Sequence, residues 1–304
     1  MKLWNHYHTP YTTDEALQLL DKYEGQARIV AGGTDLLVDA RAEVGYKPHE
    51  ALIDITHIPE LQNIHDDGDK IYIGAGVTHS TIVKSQLIAD SATCLVESCG
   101  VVGGPQVRNV ATLGGNVAHA LPAGDGTTSL VALDADVEVS HDGQRKWLPV
   151  CDVFLGPGRS LLETGRDILL GFRFKKCGQG EATAFKRIMR PQGVALPIMG
   201  CAVWVKVDLA SGNFEGARIS IAPIGPKPAR AVEVENELVG KPANGDTIES
   251  VAAFAQRVLH PRTSKYRATE DYRSEMISVL LRRTLTLATE RAKTGTAVPE
   301  GVGV

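Results

Sequence analysis

Short apolar runs alternate along this chain with segments whose apolar residues recur at helical spacing. The runs 28–30 and 51–55 are rich in aliphatic residues and predict two strands. Ahead of them, Thr12 and Glu15 have the spacing of a capping box, which predicts a helix with Ala16, Leu17 and Leu20 on one face. These elements predict a small strand–helix subdomain that ends near residue 56.

The same alternation continues through the rest of the chain. The runs 70–74 and 136–139 predict strands, and Thr78 is placed to cap a helix. Two later runs, 202–207 and 217–221, are joined by Ser211-Gly212-Asn213, which predicts a hairpin. A final helix is expected over about 269–292. Its predicted apolar face holds Tyr272, Met276, Val279, Leu280 and Leu287, and its predicted solvated face holds Arg282, Arg283 and Arg291.

The pattern as a whole predicts an α+β protein in three parts. We expect the first subdomain over residues 1–56, the second over 57–178 and a C-terminal sheet-and-helix domain over 179–292. The tail, 293–304, is rich in Gly, Pro and Val and is expected to be disordered or extended.

Composition and charge exclude several function classes. The apolar fraction of 43% suffices for a core, whereas the low aromatic content of 5% argues against base stacking on single-stranded nucleic acid. The net charge is −4 and no basic cluster is present, which argues against nucleic acid or an anionic membrane as partner. Residues 1–8 lack the apolar core of a signal peptide, and no apolar run approaches about 20 residues. We therefore expect a cytoplasmic protein without an integral membrane segment.

The metal-binding residue types show no ligand spacing. The five cysteines form no C-x-x-C pair, and the nine histidines form no H-E-x-x-H motif. We therefore expect no disulfide framework, no iron–sulfur cluster and no metal site in this chain.

Two glycine-rich loops about eighty residues apart are the most specific chemical signal. Residues 31–37, Ala-Gly-Gly-Thr-Asp-Leu-Leu, follow the first strand, and residues 108–116 end in Leu-Gly-Gly-Asn. Such loops bring backbone N–H groups close to an anion because no Cβ intervenes. Each pair alone is most often only a tight turn, and neither has the G-x-G-x-x-G spacing. Two such loops together indicate a site for a diphosphate, and hence for a dinucleotide.

The two loops in this order resemble those of the FAD-binding medium subunits of molybdenum hydroxylases. This family includes the flavin subunits or domains of carbon monoxide, nicotinate and xanthine dehydrogenases. The likeness continues in residues 119–126, in Ala184-Phe185-Lys186-Arg187 and in 222–230, and it covers roughly residues 1–290. It implies a two-subdomain FAD-binding module of the vanillyl-alcohol-oxidase/CO-dehydrogenase type, followed by the C-terminal domain.

The resemblance also implies which residues bind FAD, and it implies no catalytic residue in this chain. Lys186 matches a lysine near the flavin ring, and Asp125 matches a residue that contacts the nucleotide, although a turn aspartate or a solvated strand lysine would look the same. Asp35 would cap the following turn or bind a sugar hydroxyl, since phosphate would repel it. The complete expected set is Ala31, Gly32, Gly33, Thr34, Asp35, Leu36, Thr112, Leu113, Gly114, Gly115, Asn116, Asp125, Leu169 and Lys186.

The function implied is electron transfer within a complex. A large molybdenum–pterin subunit would oxidise the substrate, and a small subunit with two [2Fe–2S] clusters would pass electrons to FAD here, in a dimer of heterotrimers (a heterohexamer). The Ala-Gly-Asp-Gly turn is most similar to the nicotinate type, which favours an aromatic or N-heterocyclic substrate over carbon monoxide. Relatives with a cysteine-rich insert after the second loop differ from this chain. The alternatives are a self-contained FAD oxidase of the vanillyl-alcohol-oxidase type and a nucleotide-binding protein without a redox flavin.

Overall fold

The first sheet is a small parallel one. The computed structural model describes residues 3–42, 48–141, 143–190, 196–265 and 267–301. Its elements are β1 (Trp4–His8), α1 (Thr13–Lys22), β2 (Ala27–Val30), α2 (Leu36–Ala42) and β3 (His49–Asp54). The strands lie in the order β1–β3–β2, and a helix precedes β2 and β3 in the chain, as parallel strands require.

The second sheet is antiparallel and has five strands in the order β4–β5–β10–β6–β7. A group of short helices lies between β5 and β6 in sequence, and a two-stranded ribbon, β8–β9, precedes β10. The strands are β4 (Ile64–Asp67), β5 (Lys70–Gly74), β6 (Asp136–His141), β7 (Gln144–Pro149), β8 (Phe154–Gly156), β9 (Arg159–Ser160) and β10 (Ile168–Lys175). The helices are α3 (His79–Val83), α4 (Gln86–Ser91), α5 (Thr93–Gly100), α6 (Pro105–Arg108), α7 (Leu113–Ala118) and α8 (Asp125–Ala132).

The third sheet is a three-stranded antiparallel meander followed by three helices. The elements of this part are β11 (Glu181–Met189), β12 (Pro197–Val207), β13 (Phe214–Ala222), α9 (Val232–Leu238), α10 (Gly245–Val258) and α11 (Glu270–Thr294). The predicted hairpin is confirmed, since β12 and β13 pair around the turn at Gly212. The fold is therefore α+β as predicted, and the domain boundaries near residues 56 and 178 stay a prediction.

The predicted helix starts are confirmed by their caps. Thr12 accepts a hydrogen bond from the Glu15 amide at 3.1 Å, and the Glu15 carboxylate accepts one from the Tyr11 amide at 2.7 Å. Thr78 caps α3 in the same way. Each cap accepts a bond from an amide that has no partner within its helix, so the local sequence fixes where the helix begins.

Strand β10 and the third sheet connect the hydrophobic cores of the molecule. Ile168 and Leu170 pack into the core of the first sheet, whereas Phe172 packs into the core of the second. Phe185 on β11 also belongs to the second core, and the alternate residue Ala184 faces α9–α11. Since side chains alternate along a strand, the third sheet has one face against the second core and one against its own helices.

The buried face of helix α11 overlaps the predicted one only in part. Leu280 is buried as predicted, and Met276 and Leu287 are half-buried against the same core. Tyr272 is 42% exposed instead, and Ile277, Leu281 and Leu285 form the fully buried centre of the face. Neither α11 nor any other helix in the described residues has the length and apolar character to span a membrane.

The expectation that Arg291 is solvated is wrong. Its side chain is 5% exposed, and Nη2 lies 2.6 Å from Oε1 of Glu97, which is 1% exposed. The same guanidinium donates to the Thr183 carbonyl oxygen on β11 at 2.9 Å. The segment 295–301 contacts this pair, with the Glu300 amide donating to Glu97 at 2.9 Å and the Val298 carbonyl accepting from Arg291. The last turn of α11 thus meets α5 and β11, which periodicity alone does not reveal.

We predict that Arg291→Met destabilises the chain by about 3–5 kcal/mol, because it leaves the Glu97 carboxylate buried without a counter-charge. The midpoint of urea unfolding measures the loss. The matched control is Arg282→Met on the same helix, whose ion pair with Glu249 is exposed and should contribute about 0–1 kcal/mol. Equal losses in the two variants would contradict the role given to the buried pair.

Candidate dinucleotide-binding site

The two glycine loops meet at one cavity of about 570 Å³. This volume lies within the range of small-ligand sites in proteins. The walls come from the first loop, from the second loop with the start of α8, from Ile168 and Leu169 on β10, and from Arg187, Pro197 and Arg267 of the C-terminal part. All but two of the expected site residues line it: Ala31, Gly32, Gly33, Thr34, Asp35, Leu36, Thr112, Gly114, Gly115, Asn116, Asp125 and Leu169.

The first loop presents open backbone donors. Gly33 has φ +66°, a left-handed conformation that lets the chain turn sharply from β2 into α2. Within the described part of the chain, the amides of Gly33, Thr34 and Asp35 have no hydrogen-bond acceptor. Successive open amides in such a turn form a concave site for an anion.

The second loop is built differently, because its amides are already bonded. The Leu113 amide donates to the Val77 carbonyl at 3.0 Å and the Gly114 amide to the Ala75 carbonyl at 2.9 Å. The Gly115 amide donates to the Thr112 hydroxyl oxygen at 3.0 Å. The two loops therefore differ in the backbone donors that they leave open. The second loop can bind a ligand through its side chains, and the first loop can bind one through its backbone amides.

Asn116 and Thr112 are the side-chain donors of the second loop. Asn116 Oδ1 accepts from the Thr127 amide at 3.1 Å, which leaves the NH2 group as the donor end of the carboxamide. The Thr112 hydroxyl accepts from Gly115 and keeps its own proton to donate. Both residues line the cavity, so both can donate to oxygens of a bound dinucleotide.

The loops touch through Gly32. A Cβ on this residue would lie far inside the van der Waals contact distance of the Val110 carbonyl oxygen and 2.7 Å from Ala111 Cα. Only glycine allows this approach, since backbone atoms cannot move aside as a flexible side chain can. The two loops can therefore lie this close together only because residue 32 is glycine and has no side chain.

Asp125 forms the far wall together with Arg187, which the sequence analysis did not single out. Asp125 Oδ2 lies 2.7 Å from Arg187 Nη1, and both side chains are only 7% exposed. Arg187 Nη2 donates to the Val101 carbonyl at 2.5 Å. Burial raises the pKa of the Asp125 carboxyl to about 6, although the guanidinium opposes this shift. The pair joins α8 of the second subdomain to β11.

Two expected residues, Lys186 and Leu113, lie outside the cavity lining. Lys186 points to the opposite face of β11 from Arg187, where its Nζ pairs with Glu300 at 2.6 Å. Leu113 is fully buried beneath the second loop in the core. Strand alternation is the sequence signal that could have located Arg187. Phe185 and Arg187 share one face of β11, and Lys186 lies on the opposite face.

His79 also lines the cavity and was missed from the sequence. It is 1% exposed, and its Nδ1 has no hydrogen-bond partner in the described part of the chain. Burial, with a smaller contribution from Arg108, lowers the pKa of His79 to about 4, so its ring is neutral at physiological pH.

A second, polar cavity of about 930 Å³ continues the first. The two share Arg28, Ala118, His119, Leu162 and Thr164, so they adjoin each other. His119 is one of these shared residues, with Nε2 3.7 Å from Asp35 Oδ1. Two adjoining cavities beside the open amides of the first loop suit a dinucleotide.

Two family models match the chain in sequence order. Residues 3–174 match the FAD binding domain in molybdopterin dehydrogenase, and residues 183–288 match the CO dehydrogenase flavoprotein C-terminal domain. The first match alone covers more than half of the 304 residues. The chain belongs to this family of FAD-binding subunits.

Relatives agree over nearly the whole length. The carbon monoxide dehydrogenase medium chain of Hydrogenophaga pseudoflava is 29% identical, over 94% of this chain and 97% of the relative. The 6-hydroxypseudooxynicotine dehydrogenase complex subunit alpha of Paenarthrobacter nicotinovorans is 30% identical over 93% of each. The structure of carbon monoxide dehydrogenase from H. pseudoflava superposes with a TM-score of 0.87 at 27% identity, covering 96% of this chain and 99% of that one.

FAD is the cofactor that this family membership assigns, and the cavity fits it. The open amides of the first loop can hold phosphate, and the hydroxyl and carboxamide of the second loop can donate to further oxygens.

We predict that Gly32→Ala abolishes FAD retention, because the added methyl group pushes the first loop away from Val110 and Ala111. The flavin-to-protein absorbance ratio after purification measures retention. Gly245→Ala is the control, since a Cβ there meets nothing within 4 Å and the residue is far from the cavity in sequence and fold. Stoichiometric FAD in Gly32→Ala would refute the loop contact as the basis of the site.

Proposed function

We propose that this chain is the FAD-carrying electron-transfer subunit of a molybdenum hydroxylase complex. In this proposal it takes electrons from [2Fe–2S] clusters on a small subunit and passes them to a final acceptor. A large molybdenum–pterin subunit oxidises an aromatic or N-heterocyclic substrate, or carbon monoxide. The observation that carries the proposal is the cleft between both glycine loops, closed on a third side by Arg187.

Bound FAD supplies the redox chemistry, since a flavin accepts electrons singly and releases them singly or in pairs. The residues of this chain bind and orient it. The amides of Gly33, Thr34 and Asp35 hold phosphate, and Thr112 and Asn116 donate to neighbouring oxygens. Arg187 and Asp125 close the far wall. Leu113 and Lys186 are not in this proposed set.

Exposed apolar side chains surround the opening of the cavity. Val38 is 64% exposed, Leu196 48% and Leu121 38%, and all three line the cavity. Clusters of exposed apolar residues mark interaction surfaces. We assign this rim to the small subunit, because electrons can then reach the flavin over a short distance.

The names "medium chain" and "complex subunit alpha" of the relatives support a multi-subunit assembly, and a dimer of heterotrimers stays a prediction.

The purified chain alone should contain FAD but neither iron nor molybdenum, and it should oxidise no substrate. Adding the proposed large and small partner subunits should give substrate-dependent bleaching of the flavin absorbance. Metal analysis and anaerobic absorbance spectra measure these properties. Substrate oxidation by the chain alone would favour the self-contained oxidase, and a colourless purified chain would favour a nucleotide-binding protein without flavin.

A matched pair of variants makes this test specific to the rim. Leu196→Glu places a charge at the proposed interface and should slow the bleaching when the rate is expressed per bound flavin. Leu209→Glu is the control, because Leu209 is equally exposed, at 47%, but lies near the β12–β13 turn. Equal effects of both variants would argue against the rim as the docking surface.

A further inference from the structure

Arg28 is a half-buried cation at the junction of the two cavities, meaning the set of residues that line both. It lies on β2, the strand that leads directly into the first glycine loop. Within the described residues its side chain forms no ion pair and no hydrogen bond. Since a guanidinium is always charged in a protein, the wall that carries the open amides of Gly33, Thr34 and Asp35 also has a permanent, unpaired positive charge.

His119 is the second basic group at this junction, and its charge depends on pH. It follows α7 and the second glycine loop, and its side chain is 27% exposed. Its Nε2 lies 3.7 Å from Oδ1 of Asp35 in the first loop. Histidine changes charge between about pH 5 and 8. When the imidazole is protonated, this contact becomes an ion pair between the two loops, and it cancels the charge of the carboxylate in the first loop.

We propose that Arg28 and His119 bind the diphosphate of FAD together with the open amides of the first loop, and that FAD binds more tightly when His119 is protonated. In this arrangement Arg28 supplies a constant positive charge and His119 supplies one that depends on pH. The inference rests on the proposed function, because it requires FAD in these cavities.

The charges at the junction explain the direction of the pH dependence. The diphosphate of FAD stays ionised between pH 6 and pH 8, so its own charge does not change. With a neutral His119 the charges of Arg28 and Asp35 cancel, whereas with a protonated His119 the three side chains carry one net positive charge. An anion binds a positive, partly buried wall more strongly than a neutral one. FAD binding therefore takes up a proton, and its affinity rises as the pH falls from 8 to 6.

Other charged groups share this environment with His119. From α1, α2, the turn after α1 and the segment ahead of β10, the polar cavity is lined by Asp21, Glu24, Asp39, Glu163 and Arg166. The cavity of the glycine loops is also lined by His79, Asp125, Asp167, Arg187 and Arg267.

Among these groups, Asp125 is the one that can imitate His119. Burial raises the pKa of the Asp125 carboxyl to about 6, so the carboxyl loses negative charge at the acidic end of the range. His79 stays neutral from pH 6 to pH 8, because burial lowers its pKa to about 4. Asp125 is present in every variant used below, so a difference between the wild type and a His119 variant belongs to His119.

The test is the dissociation constant of FAD for the full-length chain freed of its flavin, measured by titration calorimetry at pH 6 and pH 8. The wild-type chain should bind FAD about tenfold more tightly at pH 6, the effect of one added charged hydrogen bond. His119→Gln should match the wild-type affinity at pH 8, where both side chains are uncharged, and should lose most of the gain at pH 6.

Arg28→Gln separates the constant charge from the variable one. It should weaken FAD binding about tenfold at both pH values and keep the gain at pH 6, because His119 is still present. The matched controls are His65→Gln on β4 and Arg257→Gln on α10, since both residues are exposed and line neither cavity. Both controls should bind FAD like the wild type at each pH.

Three results would overturn the proposal. They are equal wild-type affinities at pH 6 and pH 8, a full gain at pH 6 in His119→Gln, and wild-type affinity in Arg28→Gln. If Arg28→Gln does not fold, His119→Gln decides alone, and a full gain at pH 6 overturns the proposal. A wild-type chain that binds no FAD at either pH would instead refute the proposed function itself.

Discussion

The close approach of Gly32 to the backbone at Val110 and Ala111 is the contact on which the site depends. It joins a loop of the parallel sheet to a loop among the helices of the second part, about eighty residues later in the chain. Because backbone meets backbone, the distance between the loops is fixed more firmly than side-chain packing alone would fix it. The open amides of the first loop are thereby held against the bonded amides and polar side chains of the second.

The rest of the fold supports this contact, because shared strands hold its three hydrophobic cores in fixed positions relative to one another. Strand β10 contributes side chains to the first and second cores, and β11 contributes Phe185 to the second core while Ala184 faces the C-terminal helices. The buried Glu97–Arg291 pair ties α5 to α11 at the same junction. The C-terminal sheet therefore brings Arg187 to the cofactor cavity, and a change in its packing is expected to reach the site.

Local signals in the sequence were enough to predict much of this arrangement. The capping residues Thr12 and Thr78, the β12–β13 hairpin and the glycine loops are all defined by residues within a few positions of one another. Burial of charged groups is set by long-range packing instead. Arg291 is therefore buried where helical periodicity indicated solvent, and Arg187, not Lys186, reaches the cavity. The different roles of the two loops follow from acceptors on Ala75 and Val77, which no motif encodes.

Hydrogen–deuterium exchange of the backbone amides, with and without FAD, tests the central claim most directly. The amides of Gly33, Thr34 and Asp35, which have no acceptor in the described part of the chain, should exchange rapidly without FAD and become protected when FAD binds. The bonded amides of Leu113, Gly114 and Gly115 should exchange slowly in both states. FAD binding that leaves the first loop unprotected would contradict the account, because the diphosphate would then lie elsewhere.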